Sequence, residues 1–249
     1  MRAGIWTSPP PKVEISQDEV HVWCASLIQD EAVVAKLWQL LTPDERRRAE
    51  RYYRVRDQRQ FIVARGVLRQ ILSRYLQIPP NVLKFNYSSY GRPSLPEEFN
   101  PAGLVFNLSH SGDLALYAFT CGRSVGIDIE IVREDFATLE IAEQFFSQDE
   151  VSALKSLPKD LQAIAFFNCW TRKESYIKAL GEGLSHPLDR FSVSLRPDEE
   201  AALLKVDDDE YEPARWKMCA LAPGVGYVAA LIGGLPLFSI KEWEWGLIE

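Results

Sequence analysis

Two carboxylates alternate with large apolar residues in the short segment VGIDIE, residues 125–130. If this segment is a β-strand, Asp128 and Glu130 project from one face while the apolar side chains point to the other. Oxygens at neighbouring positions suit a hard cation such as Mg²⁺ when phosphate oxygens and water complete its octahedron. A solvated edge strand has the same pattern, so these two residues indicate a metal site only together with further ligands.

A third carboxylate lies in the segment WTRKESYIKAL, residues 170–180. A helix places Glu174 and Lys178 one turn apart on the same face, where a surface ion pair is the simplest interpretation. The preceding segment AIAFFNCW is too apolar for a freely exposed helix. We therefore expect this helix to be largely buried and its charged residues to emerge into a cleft.

A histidine stands between two serines in FNLSHSG, at the end of an apolar strand. The order serine, histidine, serine invites comparison with serine hydrolases, whose nucleophile elbow needs a glycine two residues before the serine. Ser111 has Ser109 at that position, and Ser109 has Asn107. A hydrolase is therefore disfavoured, and the role of His110 has to come from its neighbours in the fold.

The basic residues are concentrated in one span, although the chain carries a formal net charge of -7. That net charge gives no general attraction to nucleic acid or to an anionic membrane. The span contains Arg46, Arg47, Arg48, Arg51, Arg54, Arg56, Arg59, Arg65, Arg69 and Arg74. So many arginines with few acids between them favour an anionic partner for this part of the chain.

Hydrophobic periodicity predicts an α+β chain of two related halves, residues 1–121 and 122–249. Predicted helices begin at Thr42 and cover 57–76, 147–157 and 161–180. Predicted strands are EVHVWCASLI, LKFNYS, GLVFNLSHS, LALYAFT, VGIDIEIV, FSVSL, WKMCALA and GYVAALI. LALYAFT and GYVAALI resemble each other and close the two halves, which is consistent with an ancient duplication.

Composition points to a protein of a reducing compartment. The hydrophobic fraction is 47% and the charged fraction 25%, as in ordinary globular proteins. We expect a cytoplasmic location without membrane association, because no apolar run approaches the roughly 20 residues of a membrane span and no secretory signal opens the chain. The cysteines are widely spaced, which favours neither a zinc site nor a disulfide framework. They are Cys24, Cys121, Cys169 and Cys219.

An ordered set of segments resembles the 4'-phosphopantetheinyl transferases of the larger, monomeric surfactin-synthetase class. The segments are YGRPSL, FNLSHSG, VGIDIE, QFFSQDE and WTRKESYIKALGEGL, and the resemblance runs from about Thr42 to Leu195. It implies a pseudo-twofold pair of α+β halves with the active site between them. It also implies Mg²⁺-dependent transfer of the phosphopantetheine arm of coenzyme A to a serine of an apo acyl, peptidyl or aryl carrier protein, with release of 3',5'-ADP. Fatty-acid, polyketide and nonribosomal-peptide systems all present such carriers.

The resemblance also assigns roles to the acidic centre. Asp128, Glu130 and Glu174 correspond to the metal-binding carboxylates, and Lys178 to a residue that reaches the pyrophosphate. Attack on a pyrophosphate develops charge on its oxygens, so positioning and electrostatic stabilisation carry most of the catalysis. Our hypothesis is that Glu174, directly or through a water, accepts the proton that the serine loses.

The remaining matches lie around coenzyme A. Ser109 and His110 match a contact to its phosphates, and Arg92 matches a basic residue near the nucleotide. Arg48 and Arg65 lie in the basic region whose counterparts bind the 3'-phosphate. The C-terminal half is thus the predicted Mg²⁺-binding catalytic half, and the N-terminal half the predicted nucleotide-binding half. Carrier proteins are generally acidic, so other arginines of the span are expected to steer the carrier.

Three alternatives stay open at this point. Acidic strand residues followed by a Glu-Lys helix can also form a Mg²⁺-dependent nuclease, although the lysine spacing and the net negative charge argue against one. A non-catalytic module could keep the fold and bind carrier proteins without modifying them. Finally, the segments DIE and KES could both be surface features, which would require independent coincidences at several motifs.

Overall fold

The structure, a computed structural model, describes residues 6–181 and 187–246. The helices are α1 (Glu31–Leu40), α2 (Pro43–Glu50), α3 (Val55–Leu76), α4 (Leu139–Phe145), α5 (Gln148–Lys155) and α6 (Lys159–Leu180). The longer strands are β1 (Glu19–Ser26), β4 (Leu104–Ser111), β5 (Leu114–Cys121), β6 (Val125–Ile131), β9 (Trp216–Leu221), β10 (Tyr227–Gly234) and β11 (Ser239–Glu244). Short strands are β2 (Asn86–Tyr87), β3 (Pro93–Ser94), β7 (Phe191–Val193) and β8 (Leu203–Val206).

Two sheets dominate the molecule, and each carries one long helix. The first has the strand order β11-β1-β5-β4, and the second has the order β6-β10-β9. The strands β5 and β10, which correspond to LALYAFT and GYVAALI, have neighbours on both sides in their sheets. The helices α3 and α6 both span 22 residues. The predicted α+β class with two similar halves is confirmed.

Three apolar clusters define the layers of the fold. One cluster includes Val67 and Leu68 of α3 and packs against Tyr117 of the first sheet. A second includes Ile177 of α6 and Ile232 of the second sheet. The third lies between the sheets, where side chains of β1 and β5 meet those of β6 and β10. The central strands β5 and β10 are buried on both faces, so they are nearly continuous apolar runs in the sequence.

Local sequence signals fix the helix starts. Helix α2 starts after Thr42 and α5 starts after Ser147, as predicted, and both starts are capping boxes, formed with Glu45 and Glu150. The predicted strand LKFNYS is wrong over most of its length, because only Asn86–Tyr87 pairs, in a two-stranded hairpin with β3. The GEGL end of the segment that begins at Trp170 lies partly outside the described residues.

The last strand crosses back to the first sheet. Strand β11 pairs in parallel with β1, with Ser239 opposite Glu19 and Trp243 opposite Trp23. Trp243 is buried in the first apolar cluster. Residues near the end of the chain thus complete the core of the first half, and the division at residue 121 stays a prediction.

A series of polar contacts, most of them buried, links strand β1 to helix α3 and to strand β11. Trp23 Nε1 donates to Tyr75 Oη at 2.9 Å, and Tyr75 Oη lies 2.8 Å from His21 Nδ1. His21 Nε2 lies 3.1 Å from Glu19 Oε2, and that carboxylate also pairs with Lys241. We assign the neutral Nε2–H tautomer, which gives every group a partner, since Tyr75 can then donate to Nδ1.

This arrangement makes stability sensitive to mild acid. Burial lowers the pKa of His21 to about 4, against the opposing effect of Glu19. The unfolded chain takes up a proton near the ordinary pKa of about 6.5, whereas the folded protein takes it up only near 4. We therefore expect the free energy of unfolding to fall by up to about 3 kcal/mol between these pH values.

Urea denaturation of the wild type and His21→Gln at pH 7.0 and pH 5.0 checks this prediction. Glu19, whose pKa is lowered to about 2, keeps its charge in the folded protein over this range. The variant should lose less stability on acidification than the wild type. Equal losses in both proteins would show that another group is responsible.

Candidate active site

Strands β4 and β6 lie side by side where the two halves meet, although they belong to different sheets. Alternate side chains of β4 reach across to β6. Asn107 Oδ1 accepts a hydrogen bond from the backbone N–H of Ile127 at 3.0 Å. Ser109 and Ser111, two and four residues further along, face the same neighbour. The strands are thus joined through side chains of β4.

The two serines contact the two carboxylates that the sequence singles out. Ser109 Oγ donates to Asp128 Oδ1 at 2.7 Å, and Ser111 Oγ donates to Glu130 Oε2 at 2.6 Å. Asp128 is buried and only 3% exposed, while Glu130 is half-buried. The carboxylates share one face of β6 as predicted, and that face is enclosed by protein.

Helix α6 covers the same face of β6 at very short range. A Cβ atom on Gly126 would lie 1.9 Å from the backbone oxygen of Ser175 and 2.6 Å from the backbone nitrogen of Ala179. A side chain at this position would displace the helix. Glycine therefore permits the contact that sets Glu174 and Lys178 of α6 above the strand.

Lys178 joins the helix to both strands. Its Nζ donates to Asp128 Oδ1 at 2.6 Å and to Ser109 Oγ at 2.9 Å, and it lies 3.4 Å from the carbonyl oxygen of Ile127. Lys178 is therefore paired with an acid on strand β6. It belongs to the cleft and not to a solvated face of α6.

Negative charge is crowded around this lysine. Burial, and then the charge of Asp128, raise the pKa of Glu174 to about 7, while Lys178 opposes the shift. Burial is also the main cause that raises the pKa of Glu130. The second oxygen of Asp128, Oδ2, is buried and has no hydrogen-bond partner among the described residues. Three carboxylates and one lysine leave an excess of negative charge that a cation would balance.

The carboxylates of Asp128, Glu130 and Glu174 are of the type that binds Mg²⁺, although they do not surround a common point in this structure. Within 6–181 and 187–246, no three His, Cys, Asp or Glu side chains stand close enough to hold a metal ion. Lys178 donates a hydrogen bond to Asp128 Oδ1, and Ser111 donates one to Glu130 Oε2. Hard oxygen donors with one orphaned, buried carboxylate oxygen are nevertheless what a Mg²⁺ ion requires.

A basic cleft of about 480 Å³ leads to this centre. Its size suits a small-molecule substrate. All five of the predicted basic site residues line it, namely Arg48, Arg65, Arg92, His110 and Lys178. Aromatic rings of Tyr52, Phe61, Tyr90 and Phe106 form part of its walls. Cations and flat apolar surfaces in one cleft suit an anionic ligand with a planar base.

The two arginines of the basic span are held by rings. The guanidinium of Arg48 lies 5.3 Å from the ring centre of Phe61, and that of Arg65 lies 5.1 Å from Phe85. Arg65 Nε is 3.5 Å from Glu45 Oε1, while its Nη1 is buried and has no hydrogen-bond partner among the described residues. Arg65 thus carries a buried donor that an anion in the cleft could satisfy.

Arg92 has structural contacts as well as a place in the cleft. Its guanidinium donates to the carbonyl oxygen of Lys178 at 2.6 Å and lies 3.5 Å and 3.4 Å from those of Phe106 and Val125. The carbonyl of Lys178 belongs to the last turn of α6, which a cation stabilises. Arg92 therefore links α6, β4 and β6, and its contact with a nucleotide stays a prediction.

His110 lines the cleft and lies on β4 between Ser109 and Ser111, so its side chain leaves the opposite face of the strand. Desolvation in the cleft, and then the charge of Lys178, lower its pKa. A neutral imidazole can accept or donate a hydrogen bond. This placement agrees with a phosphate or ribose contact, and no nucleophile of a hydrolase triad is required to explain it.

Lys173, which precedes Glu174 in the sequence, has a different role. It is fully buried, with Nζ 2.8 Å from Glu150 Oε2 and 2.7 Å from the carbonyl oxygen of Leu188. Its ammonium group also lies 4.2 Å from the ring centre of Phe191. Lys173 therefore anchors α5 and β7 against α6, whereas the half-buried Glu174 lies near the charges of Asp128 and Lys178.

The site defines a class of protein before any comparison. An acidic centre whose Lys178 also lines a basic cleft is suited to an enzyme that handles a phosphate-containing substrate. The profile of the 4'-phosphopantetheinyl transferase superfamily matches residues 124–232, and that of the N-terminal region of 4'-phosphopantetheinyl transferases matches residues 29–121.

Individual relatives agree with these profiles. The chain is 39% identical over 240 residues to the 4'-phosphopantetheinyl transferase HetI of Nostoc sp., covering 96% of this chain and 98% of HetI. It is 34% identical over 203 residues to the 4'-phosphopantetheinyl transferase Sfp of Bacillus subtilis, covering 82% and 86%. The chain belongs to the 4'-phosphopantetheinyl transferase superfamily, and it is a transferase of this type.

Solved structures include a more distant similarity. The holo-[acyl-carrier-protein] synthase of Thermotoga maritima aligns with a TM-score of 0.35 and 22% identity, covering 45% of this chain and 62% of that one. Separately, the described helices include none with the length and apolar character to cross a membrane.

Proposed function

We propose that the protein transfers the 4'-phosphopantetheine arm of coenzyme A to a serine hydroxyl of an apo carrier protein and releases 3',5'-ADP, in a Mg²⁺-dependent reaction. The single observation that carries this proposal is the meeting of β6 and α6, which sets Asp128 2.6 Å from Lys178, a residue that lines the basic cleft. The relatives HetI and Sfp, both named as 4'-phosphopantetheinyl transferases, support the reaction type.

Coenzyme A would lie in the cleft, with its nucleotide toward the N-terminal half. Arg48 and Arg65 would bind the 3'-phosphate, and the free Nη1 of Arg65 supports this placement. Arg92 would lie near the nucleotide, and Ser109 and His110 would contact the phosphates. Each charged hydrogen bond to a phosphate oxygen is stronger than a neutral one, so several together can fix the substrate.

Asp128, Glu130 and Glu174 would hold Mg²⁺ at the junction of the halves. When bound, the ion would neutralise charge that develops on the pyrophosphate oxygens. Lys178 would add a second positive charge from its position against Asp128, and Ser109 keeps both groups in place.

The carrier serine must lose its proton as its oxygen attacks the phosphorus that bears the pantetheine arm. A new P–O bond forms, and the bond from that phosphorus to the bridging oxygen breaks. The bridging oxygen keeps the electron pair and leaves as part of 3',5'-ADP. We propose Glu174 as the group that accepts the serine proton, because it lies one helical turn from Lys178 on α6, the helix that contacts Asp128.

Replacing Glu174 with glutamine tests this role. We expect the rate of transfer to fall at least about a hundredfold, since general bases contribute factors of this order or more. Coenzyme A should still bind, because the cleft arginines are unchanged. The matched control is Glu140→Gln, an exposed glutamate of α4, which should transfer at the wild-type rate. A normal rate and normal pH profile in a Glu174→Gln enzyme that still binds Mg²⁺ would contradict the role.

One chain supplies both halves of the site. We therefore propose that the enzyme acts as a monomer, in the cytoplasm, with a carrier protein as its macromolecular partner. The exposed arginines near the mouth of the cleft suit an acidic carrier, and electrostatic attraction of this kind chiefly raises the rate of encounter.

Release of 3',5'-ADP tests the proposed reaction. The purified protein would be incubated with coenzyme A and Mg²⁺, with and without an apo carrier protein, and the nucleotides separated by chromatography. Appearance of 3',5'-ADP only with the carrier supports transfer. Its appearance without the carrier would indicate hydrolysis of coenzyme A, and its absence from a protein that binds coenzyme A would indicate a non-catalytic binding module.

A further inference from the structure

We propose that Ser111 is a positioning residue that orients the Glu130 carboxylate for the divalent cation. The inference rests on the proposed function, because it concerns the same centre. Ser111 belongs to the segment FNLSHSG, in which sequence reasoning assigned roles to Ser109 and His110 but none to Ser111.

The hydrogen bonds of Ser111 fix the direction of its O–H group. The backbone N–H of Ile131 donates to Ser111 Oγ at 3.1 Å. Ser111 Oγ lies 2.6 Å from Glu130 Oε2. A hydroxyl carries one hydrogen and the backbone N–H can only donate, so the hydroxyl hydrogen is directed at Glu130. The short O–H···O distance is that of a charge-assisted bond to a carboxylate.

Glu130 needs such a partner more than a surface glutamate would. Glu130 is half-buried and shares one face of β6 with the buried Asp128, so water solvates its carboxylate less than that of a surface glutamate. Glutamate also has three rotatable bonds, and repulsion by Asp128 favours rotamers that carry the carboxylate away from the centre. The Ser111 hydroxyl holds Oε2 and thereby restricts the orientation of the whole carboxylate.

Contacts with residues of the second half of the molecule fix the position of Ser111. It is the last residue of β4, and the following hairpin begins with Gly112 at φ +55°. The backbone N–H of Asp113 donates to Tyr227 Oη at 3.0 Å. Tyr227 starts β10 and pairs with Ile131, the residue beside Glu130. The hairpin, the serine and the carboxylate are therefore fixed by one connected set of contacts.

The test measures binding of Mn²⁺, a spectroscopic substitute for Mg²⁺, to the whole protein with saturating coenzyme A. Free Mn²⁺ is followed by electron paramagnetic resonance, and a sample without protein corrects for binding to coenzyme A. The variants are Ser111→Ala, Ser111→Val and Ser111→Thr. Valine and threonine have nearly the same shape and differ in the hydroxyl group.

We expect the Kd for Mn²⁺ to rise about tenfold to a hundredfold in the alanine and valine variants, the range typical for loss of a partner that orients a metal ligand. Threonine should restore a Kd close to that of the wild type. The matched control is Ser192→Ala, which removes a strand hydroxyl that bonds Ser147 Oγ at 2.9 Å in the small β7–β8 sheet. Its Kd should be unchanged.

Two results would overturn the inference. The first is an unchanged Kd in both Ser111→Ala and Ser111→Val, even if their thermal stability falls, because Ser111 would then be structural only. The second is an equal rise in Kd for valine and threonine, which would assign the effect to shape. A wild-type protein that binds no Mn²⁺ under these conditions would instead reject the metal centre of the proposed function.

Discussion

Replacing Asp128 with asparagine should lower the rate of phosphopantetheine transfer by about a thousandfold or more. Asparagine keeps the size of the side chain and an oxygen acceptor for Ser109, but it removes the charge that pairs with Lys178 at 2.6 Å. It also removes a carboxylate that would hold the cation. Stabilisation of transition-state charge by such a centre is worth several kcal/mol, and each 1.36 kcal/mol changes the rate about tenfold.

The measurement is the initial rate of transfer at saturating coenzyme A and Mg²⁺. Circular dichroism should show a wild-type fold in Asp128→Asn, because substitution by asparagine relieves repulsion among the three carboxylates. Asp207→Asn, which breaks an exposed ion pair with Lys205, serves as the matched control and should leave the rate unchanged. A rate within tenfold of the wild type in a folded Asp128→Asn protein would contradict the assignment of Asp128.

Replacing Gly126 with alanine should damage both stability and activity. The new methyl group would fall 1.9 Å from the backbone oxygen of Ser175, so helix α6 has to move away from β6. Overpacking of this kind costs about 1–3 kcal/mol, and backbone contacts relax less readily than side chains. The same displacement would carry Lys178 from Asp128, and a shift of about 1 Å at a reaction centre can cost about a hundredfold in rate.

Chemical denaturation and transfer assays on Gly126→Ala check this prediction together. The matched control is Gly234→Ala on β10 of the same sheet, where an added Cβ would find its nearest neighbours at 4.0 Å. That variant should keep stability and rate near the wild-type values. A Gly126→Ala protein as stable and as active as Gly234→Ala would show that the short contact between helix and strand is not required.

The acidic centre could be predicted in part because its signals are local. Alternation in VGIDIE places Asp128 and Glu130 on one face of a strand, and helical spacing places Glu174 beside Lys178. Capping residues gave the starts of α2 and α5 for the same reason. The roles of these residues in catalysis stay predictions, since the geometry supports them without testing them.

The sequence alone could not predict which group each charged residue contacts. Pairing of Lys178 with Asp128 and bonding of Ser111 to Glu130 depend on the docking of β4, β6 and α6. Lys173 shows the same limitation, because it stands beside Glu174 in the sequence and yet points into the core toward Glu150. A helix turns by about 100° per residue, so adjacent residues face different surroundings.

Elements that depend on distant partners were missed as well. Strand β11 pairs with β1 from the opposite end of the chain, and such non-local pairing leaves no mark in its own short sequence. The missed helix α1, in contrast, had a local signal, since Asp30 caps it by accepting from the backbone N–H of Val33.

The intact mass of an apo acyl carrier protein after incubation with this protein, coenzyme A and Mg²⁺ is the most direct test. We predict that the carrier gains one phosphopantetheine arm with the wild type, and gains nothing with Asp128→Asn or after chelation of the metal. Carrier mass that stays unchanged with several different apo carriers, despite a folded protein that binds coenzyme A, would contradict the proposed transfer. An equal gain after chelation would contradict the metal centre.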